Sequence, residues 1–580
     1  MARDAARGRR RRFRRRLGAV LVVVLVATAV RAGARRKGDA SRGDDDETDG
    51  TMHDDSGRII GGRPTTTATR RGDDGRRPRD RPWTWSRTRA RGWSGEEGRG
   101  GRYWATTRAD ASRRDAVRDA FRECLTAYVT YASGHDELAP ASRRGVDDFG
   151  GVDTTLADAL DTMFIMGMKK EFAEGLGRLK AETSGFRALI NGEVDRDVSV
   201  FETNIRVLGG LLAAHDLSGD GDALELAESF AARLSAAFDT PSGVPKSFVN
   251  VKTGKSFTLQ WTGGKSILAD FGSMHLEWAT LSARTKNPVY EAHTGHVFEQ
   301  IARARRNSGA PVGLFPHLYD TDAGKFAGGT VTFGALGDSF YEYLIKCWRS
   351  LADLKDASLW REMFDDAVAA MTASNMTREW KREGDDVYLA LSPIGSTYTM
   401  EHLACFAPGM LVLGGAEAPT KALAEEYVEL ARKIARTCVA MYDSQPSGLA
   451  PDHVKLVPSP SSPSMNVIDG KNIQRPETVE SLFYLYRKTG EEQFRDQAWK
   501  IFQSMKAAYS VPGSGWQGVR DVRQSPAQGD DKMQSFFLAE TLKYLYLIFS
   551  DSDEMHLDEW VFNTEAHPFR ITKTRAKSDG

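Results

Sequence analysis

The sequence predicts an all-α body built from helical hairpins, and three observations carry that expectation. From about Asp115 onward, at least a dozen stretches repeat apolar residues every three or four positions. Short polar breaks join them in pairs, as in SGDGDA at Ser218 to Ala223 and KTGEEQ at Lys488 to Gln493. Strand-like runs are confined to short pieces such as Gly328 to Phe333 and Val387 to Leu391. Hairpins repeated around a closed ring are the natural reading. No tight sequence repeat accompanies them, so an open superhelical array is the structural alternative.

The 580 residues balance 79 Lys and Arg against 79 Asp and Glu, which leaves no basic footprint for nucleic acid across the body. The arginines crowd the start. MARDAARGRRRRFRRR, residues 1–16, reads as a cytosolic tail, and the apolar run Leu17 to Val30 follows it. Segment 17–34 reads as a signal anchor or signal peptide, its apolar run Leu17 to Val30 being short for a spanning helix and of a length usual for a signal peptide. The Ala32-Gly33-Ala34 sequence suits cleavage, whereas the arginine block suits a retained anchor. Either route delivers the rest of the chain to a lumen.

Residues 35–112 are rich in Gly, Arg, Asp, Ser and Thr and poor in aliphatics, the composition of a disordered stem. Trp83, Trp85, Trp93 and Trp104 are unusual in it. The helical body is expected over 113–572, ahead of a short disordered tail at 573–580. Four cysteines, Cys124, Cys347, Cys405 and Cys438, exclude a disulfide-built scaffold but leave room for one bridge. Asn375-Met376-Thr377 is a glycosylation sequon, in keeping with a lumenal body.

Chemistry concentrates in acidic residues set among aromatic or small ones at helix ends. In IQRPETVESLFYLYR, Arg475 and Pro476 stand at a helix entrance, and Glu477 and Glu480 share one helical face. A carboxylate in a first helical turn meets the positive end of the helix dipole, which suits a general base. Similar stretches are FETNIR from Phe201, LGDSFYE from Leu336 and NTEAHP from Asn563. Glycoside hydrolysis needs two carboxyl groups of unequal pKa astride the scissile bond. Nucleophile chemistries lack support, since GxSxG, HExxH and CxxC motifs are missing from the sequence.

TLADALDTMFIMGMKKEF, VFETNIRVLGGLLAAHDLSGD, LGDSFYEYLIKCW, EHLACFAPGM, RPETVESLFYLYRKTG, SFFLAETLKYLYLIFSD and VFNTEAHP together resemble the class I α-mannosidases of glycoside hydrolase family 47, from about Ala116 to Phe569. The resemblance implies an (αα)7 barrel, a bound calcium ion, and removal of α-1,2-linked mannose from high-mannose N-glycans with inversion. It implies Glu202 as proton donor, acting directly or through a water, with Arg206 beside it. Asp338 becomes the second acid-side carboxylate, and Glu477 the base that activates water. Asp158, Glu342, Glu480, Glu540 and Glu565 match acidic positions about the same pocket, and Arg475 belongs to the same substrate-facing set.

Thr564 would hold calcium through its hydroxyl and carbonyl, with Glu480, Glu540 and Glu565 binding the metal's waters. Phe536 and His402 match sugar-contacting positions, and Cys405 with Cys438 matches the family's disulfide. In Gly448-Leu449-Ala450-Pro451-Asp452 the family usually has glutamate where Asp452 stands. Leu336 resembles Golgi members, whereas endoplasmic-reticulum members carry a branch-reading arginine there. The expectation is therefore a Golgi membrane enzyme with a lumenal body, the endoplasmic reticulum being the alternative. Two other functions stay open: a glycan-binding or mannose-trimming factor in disposal of misfolded glycoproteins, and a membrane-tethered helical scaffold without chemistry.

Overall fold

The computed structural model describes residues 103–354, 357–384, 386–459 and 464–571. The basic tail, the apolar run at 17–34, most of the 35–112 segment and the tail at 573–580 lie outside the described residues. Among the described residues no helix is long and apolar enough to cross a membrane.

Seven inner helical runs pack side by side: Thr154–Ile165, 200–218, His275–Thr285, Asp338–Ser350, Ala407–Ala416, Glu477–Thr489 and 537–548. The last packs back on the first and closes the ring. Outer helices follow six of them in sequence, namely Lys169–Lys180, Gly221–Leu234, Val289–Ala304, Ala357–Ala373, Lys421–Asp443 and Glu492–Tyr509. The seventh outer place is taken by Ala111–Tyr131, which packs on the final inner run, so the first helix among the described residues completes the last hairpin. The open array is thereby excluded.

The layering follows from composition. Inner helices are buried nearly all round, as in Glu477–Thr489, where every residue from Glu477 to Arg487 is buried. Outer helices bury one stripe, such as Tyr427, Val428, Ala431, Ile434, Ala435 and Cys438 in Lys421–Asp443. The polar breaks work as expected: Gly219 and Gly490 end their helices at φ 75° and 70°, in the left-handed region that glycine adopts without strain. Cys405 and Cys438 form a disulfide between the short turn His402–Phe406 and that outer helix, while Cys124 and Cys347 are buried free thiols.

The structure corrects several boundaries. The stretch 155–172, legible as one helix, is a hairpin that turns at Gly167 (φ 75°). Segment 328–333 forms no strand, whereas Asp386–Leu391 does, paired with Thr377–Glu383. Among the described residues, seven small sheets decorate the loops, mostly as strands of two or three residues. Described residues ahead of 113, expected within the stem, pack on the helical body. Trp104 is buried and donates to Asp558 at 3.0 Å, and the Ala105 amide donates to the Arg487 carbonyl at 2.8 Å. Asn375 of the sequon is exposed.

The C-terminal hairpin Trp560–Phe562 with Pro568–Arg570 drives its tip into the ring. Asn563 Nδ2 donates to the Ile205 carbonyl at 2.9 Å and to Glu277 at 2.8 Å. Gly209 permits this approach, because a Cβ there would stand 2.7 Å from Asn563 Nδ2.

Candidate active site

Acidic side chains stand in the first turns of several inner helices, so the ring gathers them at one end. Asp338 and Glu477 are the first residues of their helices, Glu202 lies in the first turn of Val200–Thr203, and Glu540 lies in the π-helical turn Phe537–Thr541. Ser199 caps the Glu202 turn by accepting from its amide at 3.3 Å. A second π-helical turn, Asn204–Leu208, carries Arg206. Such turns often mark functional sites, and here each bears a residue expected in the pocket.

Arg206 organises one cluster. Its guanidinium pairs with Glu202 Oε2 at 2.8 Å, with Glu565, and more distantly with Asp158 at 3.7 Å. It lies between the rings of Phe149 and Phe536, at 5.0 and 5.5 Å from their centroids. Phe536 is thus a buried ring in the pocket wall, as an aromatic floor requires.

A second cluster holds Glu477. Its Oε2 lies 2.8 Å from His402 Nδ1, and its Oε1 lies 4.0 Å from Arg475. His402 Nε2 meets Tyr442 Oη at 3.0 Å and Thr478 Oγ1 at 3.1 Å. Both ring nitrogens are thus engaged by protein groups, the side chain is buried, and His402 holds Glu477 in place. Arg475 pairs with Asp452, and that pairing together with Glu477 and Glu401 raises its pKa further. The shorter Asp452 side chain therefore still reaches Arg475.

Burial dominates the protonation of the pocket. Enclosure, reinforced by Glu401, Glu342 and Glu477, pushes the Asp338 carboxyl up to about 8, although the Ser339 amide donates to it. Burial likewise pushes Glu480 up to about 8, with Glu342 and Glu477 adding to it and Lys346 opposing. Glu540 is raised well above the carboxylate range by burial and by Glu565, Glu477 and Glu480. Burial also raises Glu565, against the pull of Arg206. Glu565 feels Glu202, Glu540 feels Glu477 and Glu565, and Asp338 feels Glu477, so the acidic groups lie within electrostatic reach of one another. Glu202, Leu336, Asp338, Arg475 and Thr564 keep partial exposure, while Glu477, Glu480, Glu540 and Glu565 are buried behind them.

Thr564 sits at the tip of the plugging hairpin, its amide 3.4 Å from Tyr343 Oη. Lys346 pairs with Glu342 and stands 3.9 Å from Glu480. Lys346 pulls Glu480 down and Arg206 pulls Glu565 down, but burial outweighs both and the two carboxyls stay raised. Carboxyl and threonine oxygens are the donor type that a hard divalent cation takes. Among the described residues, no three His, Cys, Asp or Glu side chains converge to ligate a metal directly.

Sequence reasoning missed Glu401, which accepts from the Ala335 amide at 2.8 Å and acts electrostatically on Asp338, and Asp270, a carboxyl pushed up to about 7 chiefly by burial and also by Glu202. Glu401 opens the stretch EHLACFAPGM, whereas Asp270 lies outside every matched stretch. Leu336 adopts φ 75°, unusual for a leucine, with its carbonyl accepting from the Ala269 amide at 3.0 Å.

Residues 120–571 match the family model for glycosyl hydrolase family 47. The chain belongs to glycosyl hydrolase family 47. It is 40% identical over 472 residues to a mannosyl-oligosaccharide 1,2-alpha-mannosidase of Arabidopsis thaliana, covering 80% of this chain and 79% of that one. It is 38% identical to mannosyl-oligosaccharide 1,2-alpha-mannosidase IB of Homo sapiens, covering 79% and 70%. An alpha-1,2-mannosidase from Trichoderma reesei superposes with a TM-score of 0.69 at 29% identity, over 80% of this chain and all of that one. The family's fold is the (αα)7 barrel seen here.

Proposed function

We propose that this family 47 chain is a mannosyl-oligosaccharide 1,2-alpha-mannosidase, hydrolysing terminal α-1,2-linked mannose of high-mannose N-glycans with inversion. The observation that supports this reading is the closed ring with Glu202, Asp338 and Glu477 each in the first turn of an inner helix. Family membership supplies the reaction class.

On this reading the two clusters divide the chemistry. Asp338, pushed up to about 8, keeps a proton near neutral pH and stands on the acid side with Glu202. Their shared task is to protonate the leaving glycosidic oxygen, directly or through a water. Glu477 takes a proton from the attacking water on the other side. The Nδ1–H of His402 donates to Glu477 and keeps one carboxylate oxygen occupied, leaving the other to face the water. Glu202 stays ion-paired to Arg206, which fixes its orientation.

Thr564 would hold calcium, with Glu480, Glu540 and Glu565 binding the metal's waters. When bound, that ion supplies coordination for sugar hydroxyls and so orients the terminal mannose. Phe536 and Arg475 border the same space. Leu336 offers no hydrogen bonds to a branch, so several α-1,2-mannoses should be accepted. That accords with a Golgi-type enzyme anchored through its N-terminal segment, its body in the lumen.

The test is the glycan product profile of the full chain on a high-mannose N-glycan, with and without a calcium chelator. Release of several mannoses, abolished by chelation and restored by calcium, is expected. Trimming that stops after one mannose overturns the Golgi-type assignment, and activity indifferent to chelation overturns the calcium assignment.

A further inference from the structure

Two buried lysines meet the hairpin tip from different inner helices. Lys346 donates to the Asn563 carbonyl at 3.2 Å, and Lys543 donates to the Ala566 carbonyl at 2.6 Å. Those carbonyls immediately flank Thr564 and Glu565. The side chains of Lys346 and Lys543 are 1% and 0% exposed. Each ammonium also faces a carboxylate: Lys346 pairs with Glu342, and Lys543 stands 2.5 Å from Asp161.

The tip between them is internally braced. Asn563 Oδ1 accepts from the amides of Glu565 and His567, at 2.9 and 2.8 Å. His567 in turn lies 3.1 Å from Asp158 and 3.2 Å from Asp161. A braced turn moves as a unit, so contacts at its two ends set the depth and tilt of everything between them. Burying an ammonium is costly, and an apolar side chain of similar volume often serves a fold equally well. Two such groups at the two ends of one turn point to a role beyond packing.

We propose that Lys346 and Lys543 are positioning residues that grip the tip from both sides and thereby set the calcium affinity of the Thr564 site. The proposal rests on the functional reading above. Simple charge balance makes different predictions. If Lys543 only neutralises Asp161, removing both charges together restores a normal site. If Lys346 only offsets Glu342 and Glu480, removing its charge tightens cation binding. A grip on the carbonyls requires weaker binding in both cases.

The experiment uses the full chain, stripped with chelator and titrated calorimetrically with calcium, for wild type, Asp161→Asn/Lys543→Met and Lys346→Met. Thermal midpoints in chelator report whether each variant folds. Folded variants that bind calcium about tenfold or more weakly support the grip, in line with the effect of losing groups that orient metal ligands. A double variant that binds like wild type, or a Lys346→Met that binds more tightly, overturns it. Should one variant fail to fold, the other decides. A wild-type chain that takes up no calcium overturns the metal assignment itself, and this proposal with it.

Discussion

His402 Nδ1 lies 2.8 Å from Glu477 Oε2, and His402 Nε2 is itself held by Tyr442 and Thr478. The imidazole therefore acts as a strut for Glu477. Replacing it by alanine frees the Glu477 carboxylate to rotate away from the attacking water. His402→Ala should lower kcat by about 10²-fold, with a smaller change in KM, since misplacement of a catalytic group costs about that much. Steady-state kinetics on a high-mannose glycan checks this. Glu477→Gln, which removes the base itself, should cost about 10²- to 10⁴-fold.

The raised carboxyls make metal-free stability fall with pH. Asp338 and Glu480 are pushed up to about 8 and Glu277 to about 7, chiefly by burial. The folded chain keeps these protons between about pH 4 and 8, where the unfolded chain releases them, so folding loses free energy as pH rises across that window. Asp161 and Asp452, whose pKa values are lowered in the fold, work in the opposite sense below about pH 4. Thermal midpoints in chelator should decline from pH 5 to pH 8. Added calcium should restore most stability at the alkaline end, because the metal favours the ionised carboxylates.

The segment just before the first helix should matter for stability but not for chemistry. Trp104 is 5% exposed, donates to Asp558 at 3.0 Å and lies under the Arg349 guanidinium, 5.5 Å from the ring. Trp104→Ala should destabilise by about 3–5 kcal/mol, the usual range for emptying a buried tryptophan site. Activity per folded molecule should be unchanged. Denaturant unfolding paired with active-site titration separates the two effects.

The Cys405–Cys438 bridge closes a loop over a sequence separation of 33 residues. Replacing both cysteines with alanine should cost about 3–4 kcal/mol by the chain-entropy argument. The same turn carries His402, so loosening it should also lower kcat. Chemical denaturation and kinetics of the double variant give both readings.

Helical periodicity and polar breaks made the hairpin architecture legible in the sequence, because each inner and outer helix buries a face set by local spacing. They misread 155–172, where Met166 and Met168 continue the apolar pattern straight through the turn at Gly167. They also missed Val289–Ala304, whose His, Thr and Gly content blurs its stripe. The two π-helical turns carrying Arg206 and Glu540 are set by ring closure rather than by any local pattern. Of the pocket, the acidic motifs were legible residue by residue. Their convergence was not, since Glu202, Asp338, Glu477 and Thr564 are far apart in the chain and meet only when the last inner run packs on the first. The direction of His402 depended on Glu477 and Tyr442 approaching from two other helices.

The anomeric form of the first-released mannose tests the pocket's division of labour most directly. Proton NMR taken within the first minutes, before mutarotation, should show β-mannose from the α-1,2-linked substrate, because water held by Glu477 attacks opposite the departing oxygen. Initial release of α-mannose would contradict the account.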